Sequence, residues 1–378
     1  MDALTTLSNW QRVRLGDVAE IIGGGTPSTQ ITSFWNGSIN WFTPTEIGIT
    51  KYVYKSQRTI TPLGLKKSSA KLLPIGTILL TSRASIGDCA ILKVVATTNQ
   101  GFQSLIPLEK INNEFLYYLI LTLKNKLLEL ASGSTFLEVS PNKIKNLLIP
   151  LPPLNEQIAI ANILSDVDHY LYSLDALILK KEGVKKALSF ELLSQRKRLK
   201  GFNQNWQRVR LGDIANYLTS NLSAEQITQQ GKIKVYDVNN FIGYTDTTFI
   251  SDKPYISIVK DGSVGRVRIL PPETNILSTM GALIANHRTT TEFLFYLLSN
   301  FDFKNFTSGS IIPHIYFKDY KEKTIFLPPL NEQIAIANIL SALDHEITNL
   351  KNKKRQFENI KKALNHDLMS AKIRVLKK

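Results

Sequence analysis

One stretch of fifteen residues, LPPLNEQIAIANILS, occurs twice in this chain, at residues 151–165 and again at residues 327–341. A second matched pair is formed by WQRVRLGDVA, which begins at Trp10, and WQRVRLGDIA, which begins at Trp206. Internal repeats constrain the architecture strongly, because each copy must fold into a similar unit. The chain is therefore predicted to run head, arm, head, arm.

The two repeats differ mainly in the first half of each head. The head openings lie 196 residues apart and the LPPLNEQ copies 176, so the second head is shorter by 20 residues. The pair ASIG at Ala84 and GSVG at Gly262, and the pair FLYYL at Phe115 and FLFYL at Phe293, are already separated by 178. The heads thus share a frame and differ in a variable region that precedes these turns.

Each head has the sequence pattern of a mixed α/β domain. GTILLTSRASIGDCAILKVVA in the first head and YISIVKDGSVGRVRIL in the second contain short β-branched runs broken by turn residues. EFLYYLILTLKNKLLELAS has apolar residues at helical spacing and predicts one helix that ends at Gly133. The predicted domains are residues 1–150 and 201–326 for the heads, and residues 151–200 and 327–378 for the arms.

After each LPPL the periodicity changes to that of a coiled coil. The paired prolines forbid a helix before them, and Asn155 is predicted to be the N-cap with Glu156 in the first turn. Core-type positions then recur with a mean spacing of about 3.5 residues, so that a helix from about Asn155 to Leu199 would be about 67 Å long. The predicted seam positions are Ile160, Leu164, Val167, Leu171, Leu174, Ile178, Lys181, Lys185, Leu188 and Leu192, followed by Ile336, Leu340, Leu343, Ile347, Leu350, Lys354, Phe357, Lys361, Leu364 and Leu368.

Two arrangements of the arms are open. One arm can pair antiparallel with the other, which would place the heads at opposite ends about an approximate two-fold axis, or each arm can pack on its own head. Lysines within the seam weaken the middle of both stripes, and Gly183 costs up to about 1 kcal/mol relative to alanine. Narrow stripes favour the first arrangement. The predicted fold class is α+β: two mixed α/β heads joined by two long antiparallel coiled-coil helices with pseudo-two-fold symmetry.

Composition adds a direction for function. The net charge of +15 attracts polyanions, of which nucleic acid is the commonest in the cytosol. A single cysteine, Cys89, excludes an intramolecular disulfide and a cysteine-rich metal site. The chain has no run of 18 apolar residues, and its opening MDALTTLSNW has no signal-peptide pattern, so we expect a cytoplasmic protein without a membrane partner.

Catalytic motifs are missing from the sequence. It contains no Asn-Pro-Pro loop for a flipped base and no H-E-x-x-H, and GGGTPST lacks the G-K-[ST] ending of a nucleotide-binding loop. His169 and His345 each follow an aspartate on an arm, and we expect them on a solvated or partner-facing side of a helix. The chain is predicted to be a non-catalytic reader without a metal or cofactor of its own.

Candidate DNA contacts are side chains that can pair with base edges or phosphates. In the first head these are Thr43, Thr45 and Glu46 after the INWF strand, Lys66, Lys67, Ser68 and Ser69 in a polar loop, and Arg83 and Ser85 beside the ASIG turn. In the second head they are Tyr236, Asn239, Asn240 and Tyr244 in the variable half, with Lys260, Ser263, Arg266 and Arg268.

The chain resembles the specificity subunits of type I restriction–modification systems over nearly its whole length. The resemblance rests on the two W-x-x-V-x-L-G-D openings, on GGGTPST…FWNGSINWFTPTEI, on TITPLGLKKSSAKLLPIGTILLTSRASIGD, on TTNQGFQSLIP and on the paired LPPLNEQ-x-x-I-A-x-I-L arm starts. It implies two target recognition domains, each reading one half of a split, asymmetric double-stranded DNA sequence. It further implies two conserved helices that set the spacing between the half-sites.

The resemblance also implies partners. The arms would dock two modification subunits, which use S-adenosylmethionine to methylate adenine, and two restriction subunits that require ATP and Mg would complete the complex. The residues proposed for the coiled coil and the subunit interface are Leu154, Asn155, Glu156, Gln157, Ile160, Leu164, Val167 and Leu171, with Leu330, Asn331, Glu332, Gln333, Ile336, Leu340, Leu343 and Ile347. Three alternatives stay open: a stand-alone two-headed DNA-binding regulator, a protein-binding scaffold, and an enzyme of unrecognised type. For LPPLNEQ itself, a strand end and helix cap needed only for folding is the alternative to docking.

Overall fold

The computed structural model describes residues 9–133 and 137–375. The chain divides into two compact units, Met1–Leu174 with Lys353–Lys378, and Asp175–Asn352. Each unit therefore combines one head with a part of both long helices. The four-part division predicted from the sequence stays a prediction, and its outer limits at residues 1 and 378 lie outside the described residues.

In its described residues, 9–133 and 137–151, the first head contains ten strands and four short α-helices. Its strands are β1 (Gln11–Arg14), β2 (Ala19–Gly23), β3 (Trp35–Phe42), β4 (Tyr52–Val53), β5 (Arg58–Ile60), β6 (Ile78–Leu80), β7 (Cys89–Leu92), β8 (Ala96–Thr98), β9 (Gln103–Pro107) and β10 (Leu148–Leu151). Its helices are α1 (Pro62–Lys66), α2 (Asn113–Thr122), α3 (Lys124–Leu130) and α4 (Pro141–Lys145). They form a five-stranded sheet of order β2-β9-β6-β7-β4, a three-stranded sheet of order β5-β3-β8, and the pair β1-β10.

The core of the first head lies between the larger sheet and α2. The helix begins after Asn112, whose side chain accepts a hydrogen bond from the Phe115 N–H. It buries residues 115–120, among them Phe115 and Tyr118, against β6 and β7. The single helix predicted up to Gly133 is wrong: α2 ends at Thr122, where Leu123 leaves helical geometry with ψ of 2°, and α3 continues only to Leu130.

The second head repeats this frame. A long helix, α5 (Leu154–Leu193), precedes it. The head consists of β11 (Gln207–Arg210), β12 (Ala215–Thr219), β13 (Ile233–Tyr236), β14 (Phe241–Thr245), β15 (Tyr255–Val259), β16 (Val267–Leu270), β17 (Thr274–Ile276), β18 (Met280–Ala285), α6 (Thr291–Ser299), α7 (Phe317–Tyr320) and β19 (Thr324–Leu327), and α8 (Leu330–Met369) follows. Its sheets have the orders β12-β18-β15-β16, β14-β13-β17 and β11-β19. Between residues 207 and 327, all of which are described, no counterpart of β4 or α1 is found, which accounts for part of the missing length.

The predicted pair of long helices is confirmed, and so is the mixed α/β character of the heads. Helix α5 begins at Leu154, one residue before the predicted cap. Asn155 accepts a hydrogen bond from the Glu156 N–H at 3.0 Å within the first turn. The helix ends at Leu193, not near Leu199, because Gln195 adopts a left-handed φ of 63°.

Within each unit the helix segments run antiparallel. In the first unit Asp168 pairs with Lys361, and Tyr170 packs on Phe357 with ring centroids 4.6 Å apart. In the second unit Lys185 Nζ lies 2.5 Å from Asp344 Oδ1, and Lys181 Nζ lies 2.8 Å from Glu346 Oε1. Three of the seam lysines, Lys181, Lys185 and Lys361, thus make ion pairs with the opposite helix. The predicted two-fold relation between the heads stays a prediction.

The first half of each apolar stripe does not face the other helix alone. Ile160 and Leu164 are buried in one cluster with Phe115 of the head and Leu368 of α8. Ile336 and Leu340 are buried likewise with Phe293 and Leu192. The arm therefore packs on its own head and on the opposite helix at the same time, so antiparallel pairing of the helices and packing on the head are not exclusive. The placement of the heads at opposite ends stays a prediction. Among the described residues no helix is long and apolar enough to span a membrane.

Candidate nucleic-acid interface and helix junctions

The turn after β6, at residues 82–88, has an unusual backbone. Ala84 and Ser85 adopt left-handed φ angles of 26° and 47°. The Thr81 hydroxyl donates to the Ser85 carbonyl oxygen at 2.7 Å and holds the turn closed. Arg83 Nη2 lies 2.9 Å from Glu138 Oε2, and 43% of the Arg83 side chain is exposed. The turn and Glu138 line an open cleft of about 660 Å³.

The second head presents the equivalent turn after β15, at residues 260–266. Gly262 and Gly265 provide the left-handed positions, with φ of 83° and 81°. Ser263 and Arg266 are exposed and Lys260 is half-buried, so these three predicted contacts lie on one turn.

The predicted contacts in the variable half of the first head fall on two separate elements. Thr43 caps the short 3-10 helix Pro44–Glu46: its N–H and its hydroxyl both donate to Glu46 Oε2 at 2.8 Å. Thr45 is exposed, whereas Thr43 and Glu46 are engaged in this cap. The predicted polar loop is partly helical, because Lys66 is the last residue of α1. Lys66, Lys67 and Ser69 are exposed at its C-terminal end and Ser68 is half-buried.

The variable half of the second head carries an aromatic hairpin. Tyr236 and Tyr244 both pack edge-to-face against Phe241, which is 44% exposed. Arg268 lies over the Tyr236 ring at 5.2 Å and donates from Nη1 to the Asn239 carbonyl oxygen at 3.0 Å. Four of the predicted residues, namely Tyr236, Asn239, Tyr244 and Arg268, are therefore gathered at this hairpin.

Asn240 lies at the tip of the same hairpin. Its N–H and that of Asn239 both donate to Asp237 Oδ1, at 2.6 and 2.7 Å, which closes the turn and leaves the two amide side chains exposed. Sequence reasoning missed Phe241, and in the first head it missed Arg58, whose guanidinium lies 3.8 Å from the centre of the Trp35 ring. Trp35 lies in β3 and Arg58 in β5, which are neighbours in the sheet but 23 residues apart at these positions in the chain. The sequence between them gives no sign of this contact.

The LPPLNEQ motif of the first unit joins the head to α5. Glu156 is 2% exposed and accepts from Trp10 Nε1 at 3.1 Å and from Arg374 Nε at 2.7 Å. Gln157 is fully buried: it accepts from the Asn112 N–H at 2.8 Å and donates to the carbonyl oxygens of Lys110 and Pro152. We call the Trp10–Glu156–Arg374 group the first clasp.

The second unit builds the same junction. Trp206 Nε1 donates to Glu332 Oε2 at 3.0 Å, and Arg198 donates from Nε and Nη2 to the two oxygens of Glu332 at 3.1 and 2.6 Å. Gln333 accepts from the Thr289 hydroxyl at 2.9 Å. We call Trp206–Glu332–Arg198 the second clasp. The glutamate and glutamine assigned to a subunit interface are thus turned inward in both units, bonded within their own unit.

Other members of the predicted interface set remain on the surface. Leu154 and Asn155 are exposed in the first unit, as are Leu330 and Asn331 in the second. Ile158 and Ile334, which were not among the predicted residues, are exposed beside them. The remaining predicted residues are buried or half-buried: Ile160, Leu164, Val167, Leu171, Ile336, Leu340, Leu343 and Ile347. Their role toward a partner stays a prediction.

A second duplicated contact connects each head helix to the arms. Tyr118 Oη donates to Asp168 Oδ2 at 2.5 Å, and Tyr296 Oη donates to Asp344 Oδ2 at 2.8 Å. Burial, followed by the hydrogen bond to the aspartate, raises the pKa of Tyr118 and of Tyr296 above the usual tyrosine range. Both hydroxyls therefore stay protonated donors. His169 and His345, which follow these aspartates in sequence, are exposed. Across residues 9–133 and 137–375, no group of three or more His, Cys, Asp or Glu could hold a metal ion.

Comparison with known proteins gives a consistent result. The family model described as the type I restriction modification DNA specificity domain matches residues 7–181 and 203–359. The chain is 29% identical over 406 residues to the type I restriction enzyme MjaIX specificity subunit of Methanocaldococcus jannaschii, covering 97% of this chain and 94% of that one. It is 37% identical over 161 residues to the EcoR124I/EcoR124II specificity subunit of Escherichia coli, covering 41% and 40%. The type I restriction–modification S subunit from M. genitalium has a similar fold, with a TM-score of 0.61, 20% identity and coverage of 96% and 97%.

Proposed function

This chain belongs to the family of type I restriction–modification DNA specificity subunits, and we propose that each of its heads reads one half of a split, asymmetric DNA target. The observation that carries this proposal is the pair of heads with one frame and two unlike variable halves. The first head presents Lys66, Lys67 and Thr45, whereas the second presents an aromatic hairpin with Arg268. Unlike surfaces offer different donors and acceptors to base edges, so each is suited to a different half-site.

The starts of the long helices are proposed to receive the partner subunits. Leu154 and Leu330 are 46% and 45% exposed, and Ile158 and Ile334 are 42% and 48% exposed. Residues four apart lie on the same face of a helix, so each unit presents the same pair of apolar side chains, one helical turn apart. Two equal footprints on one chain suit two copies of one partner.

The partners of a type I specificity subunit are DNA and the modification and restriction subunits, and we propose two of each subunit. The chain itself is proposed to be non-catalytic and to work in the cytoplasm. S-adenosylmethionine would be held by the modification subunits, and ATP and Mg by the restriction subunits. The long helices, each of which contributes to both units, are proposed to set the distance between the half-sites.

Mapping methylated adenines tests the function directly. A host that carries this chain and its own modification subunit is expected to methylate one bipartite, asymmetric sequence, and neither subunit alone is expected to do so. Specific DNA binding by the chain alone, without methylation in the mixture, would support the stand-alone regulator instead. Assembly without DNA and without methylation would support the scaffold.

A further inference from the structure

In both heads, one side chain of the equivalent turn pairs with a side chain on a facing segment. The acidic partner is on the facing segment in the first head and on the turn in the second. The first head places Arg83 on the turn and Glu138 opposite it, with Nη2 and Oε2 2.9 Å apart. The second head places the acid, Asp261, on the turn and His314 opposite it, with Oδ1 and Nδ1 2.6 Å apart. Asp261 follows Arg83 by 178 residues and His314 follows Glu138 by 176, the separations of the flanking repeat markers. The positions are therefore equivalent, and the acidic and nitrogen-bearing groups are exchanged.

The backbone around both pairs is the same. The Val139 N–H donates to the Ser82 carbonyl oxygen at 3.0 Å in the first head, and the Ile315 N–H donates to the Lys260 carbonyl oxygen at 2.9 Å in the second. The exchange thus occurs on one common frame. Since the frame is already closed by backbone hydrogen bonds, the side-chain pair is not what connects the two segments. It fixes how the turn presents its own charge.

The turn of the first head also stores backbone strain. Ala84, with φ of 26°, stands where the second head has Gly262, with φ of 83° and open space around its Cβ position. A non-glycine residue keeps such a conformation only when its surroundings hold it there, and strained residues cluster at functional sites. The Arg83–Glu138 pair is adjacent to this residue in the chain and provides such a restraint.

We propose that Glu138 and His314 are positioning residues for half-site recognition, acting through Arg83 and Asp261 to fix the turns at residues 82–88 and 260–266 against DNA. This inference rests on the proposed function. Glu138 partly neutralises Arg83 and holds the guanidinium in one direction, so that the turn fits one DNA geometry. In the second head, the negative charge of Asp261 would repel DNA phosphates. His314 holds this carboxylate, while Ser263 and Arg266 of the same turn remain exposed.

Removal of Glu138 has a consequence that differs from a simple loss of stability. Glu138→Gln frees Arg83 for a phosphate, which adds one counterion-releasing contact. The plot of log affinity against log salt should therefore become steeper by about 0.9. Arg83 is then no longer held in the direction that fits the target, and the phosphate contact that replaces this restraint carries no sequence information. Discrimination at the first half-site should therefore fall by about tenfold, within the range of one mismatched base pair. Asp261→Asn and His314→Gln should lower discrimination at the second half-site only.

The experiment uses the complex of the chain with its own modification subunit. Duplexes carry the mapped wild-type target, or one base change in the first or the second half, and discrimination is the ratio of their methylation rates. Glu322→Gln is the matched control, because it breaks an exposed pair with Arg210, whose Nη1 lies 2.7 Å from Glu322 Oε2, and it changes the net charge equally. It should leave both ratios unchanged.

A charge exchange separates positioning from direct DNA contact. Arg83→Glu combined with Glu138→Arg restores an ion pair in the order of the second head. It should recover most of the discrimination that Glu138→Gln loses, without the steeper salt dependence. The inference is overturned if Glu138→Gln leaves discrimination at the first half-site unchanged, if both half-sites respond equally, or if the exchange recovers nothing while the complex still assembles. A wild-type complex that methylates no bipartite target would overturn the proposed function itself.

Discussion

The first clasp offers a quantitative prediction, because it ties three distant parts of the chain together through one buried carboxylate. Arg374 donates from Nε and Nη2 to the two oxygens of Glu156 at 2.7 and 3.0 Å. Arg374→Ala leaves the carboxylate, whose side chain is 2% exposed, with the Trp10 N–H. Removing one partner of a buried ion pair costs about 3–5 kcal/mol. Since 24% of the Arg374 side chain is exposed, we expect the lower end, a loss of about 3 kcal/mol in the first unit.

Hydrogen exchange followed by mass spectrometry can assign this loss to one unit. Exchange that proceeds through opening of the first unit should accelerate by a factor of about 150, the equivalent of about 3 kcal/mol at 25 °C. Peptides from β1, β10 and α2 should show the acceleration, while peptides from β11, β19 and α6 keep their wild-type protection. Arg198→Ala is the matched variant in the second clasp and should give the reverse pattern.

Two further outcomes decide whether the reasoning is correct. Arg374→Lys keeps the charge but not the planar two-donor geometry, so it should recover only part of the lost stability. A loss below about 1 kcal/mol for Arg374→Ala, the value typical of an exposed pair, would refute the claim that the buried carboxylate depends on this arginine. Equal acceleration in both heads would refute the assignment of each clasp to its own unit.

Three other predictions concern recognition and assembly. Arg83→Ala and Arg266→Ala should each lower the methylation rate of the target by the equivalent of about 1–3 kcal/mol, and each should reduce discrimination at one half-site only. An equal loss of discrimination at both halves would count against independent heads. Inserting seven residues beside Gly183, which has open space around it, should change the tolerated gap between half-sites in a methylation assay without changing either half; an unaltered gap would argue that the arms do not set it. Ile158→Asp and Ile334→Asp should each reduce the number of modification subunits bound from two to one by native mass spectrometry, with unchanged protection in hydrogen exchange; retention of two would remove this helix face from the interface.

The sequence predicted the long helices because periodicity is a local property. The mean spacing of 3.5 residues and the paired prolines before each arm were enough to place α5 and α8 to within a residue at their starts. The end of α5 was not predictable in the same way. The helix was predicted to run to about Leu199. No glycine or proline between Leu193 and Leu199 marks an earlier end, yet Gln195 adopts the left-handed φ of 63°.

The roles of individual motif residues were harder to predict, because they depend on partners far away in the chain. Glu156 was assigned to a subunit interface, yet its donors are Trp10, 146 residues before it, and Arg374, 218 residues after it. Arg83 was identified only as a basic residue beside a turn, while Glu138 opposite it was not identified at all. The one sequence signal that could have connected Arg83 with Glu138 is the repeat offset, which aligns them with Asp261 and His314 of the second head.

The burial of the fifteen duplicated residues separates what the fold requires of them from what it does not. At every position except Pro153 and its counterpart Pro329, the two copies are alike in being buried, half-buried or exposed. The buried positions keep their identity because they form the clasps and the core. The exposed positions have no such reason: further along the helices, exposed Asp166 and Tyr172 of the first arm have become Ala342 and Thr348 in the second. Identical exposed residues beside drifted ones are what a shared contact outside the chain would produce, and they support the proposal that the partner subunits bind at the starts of the helices.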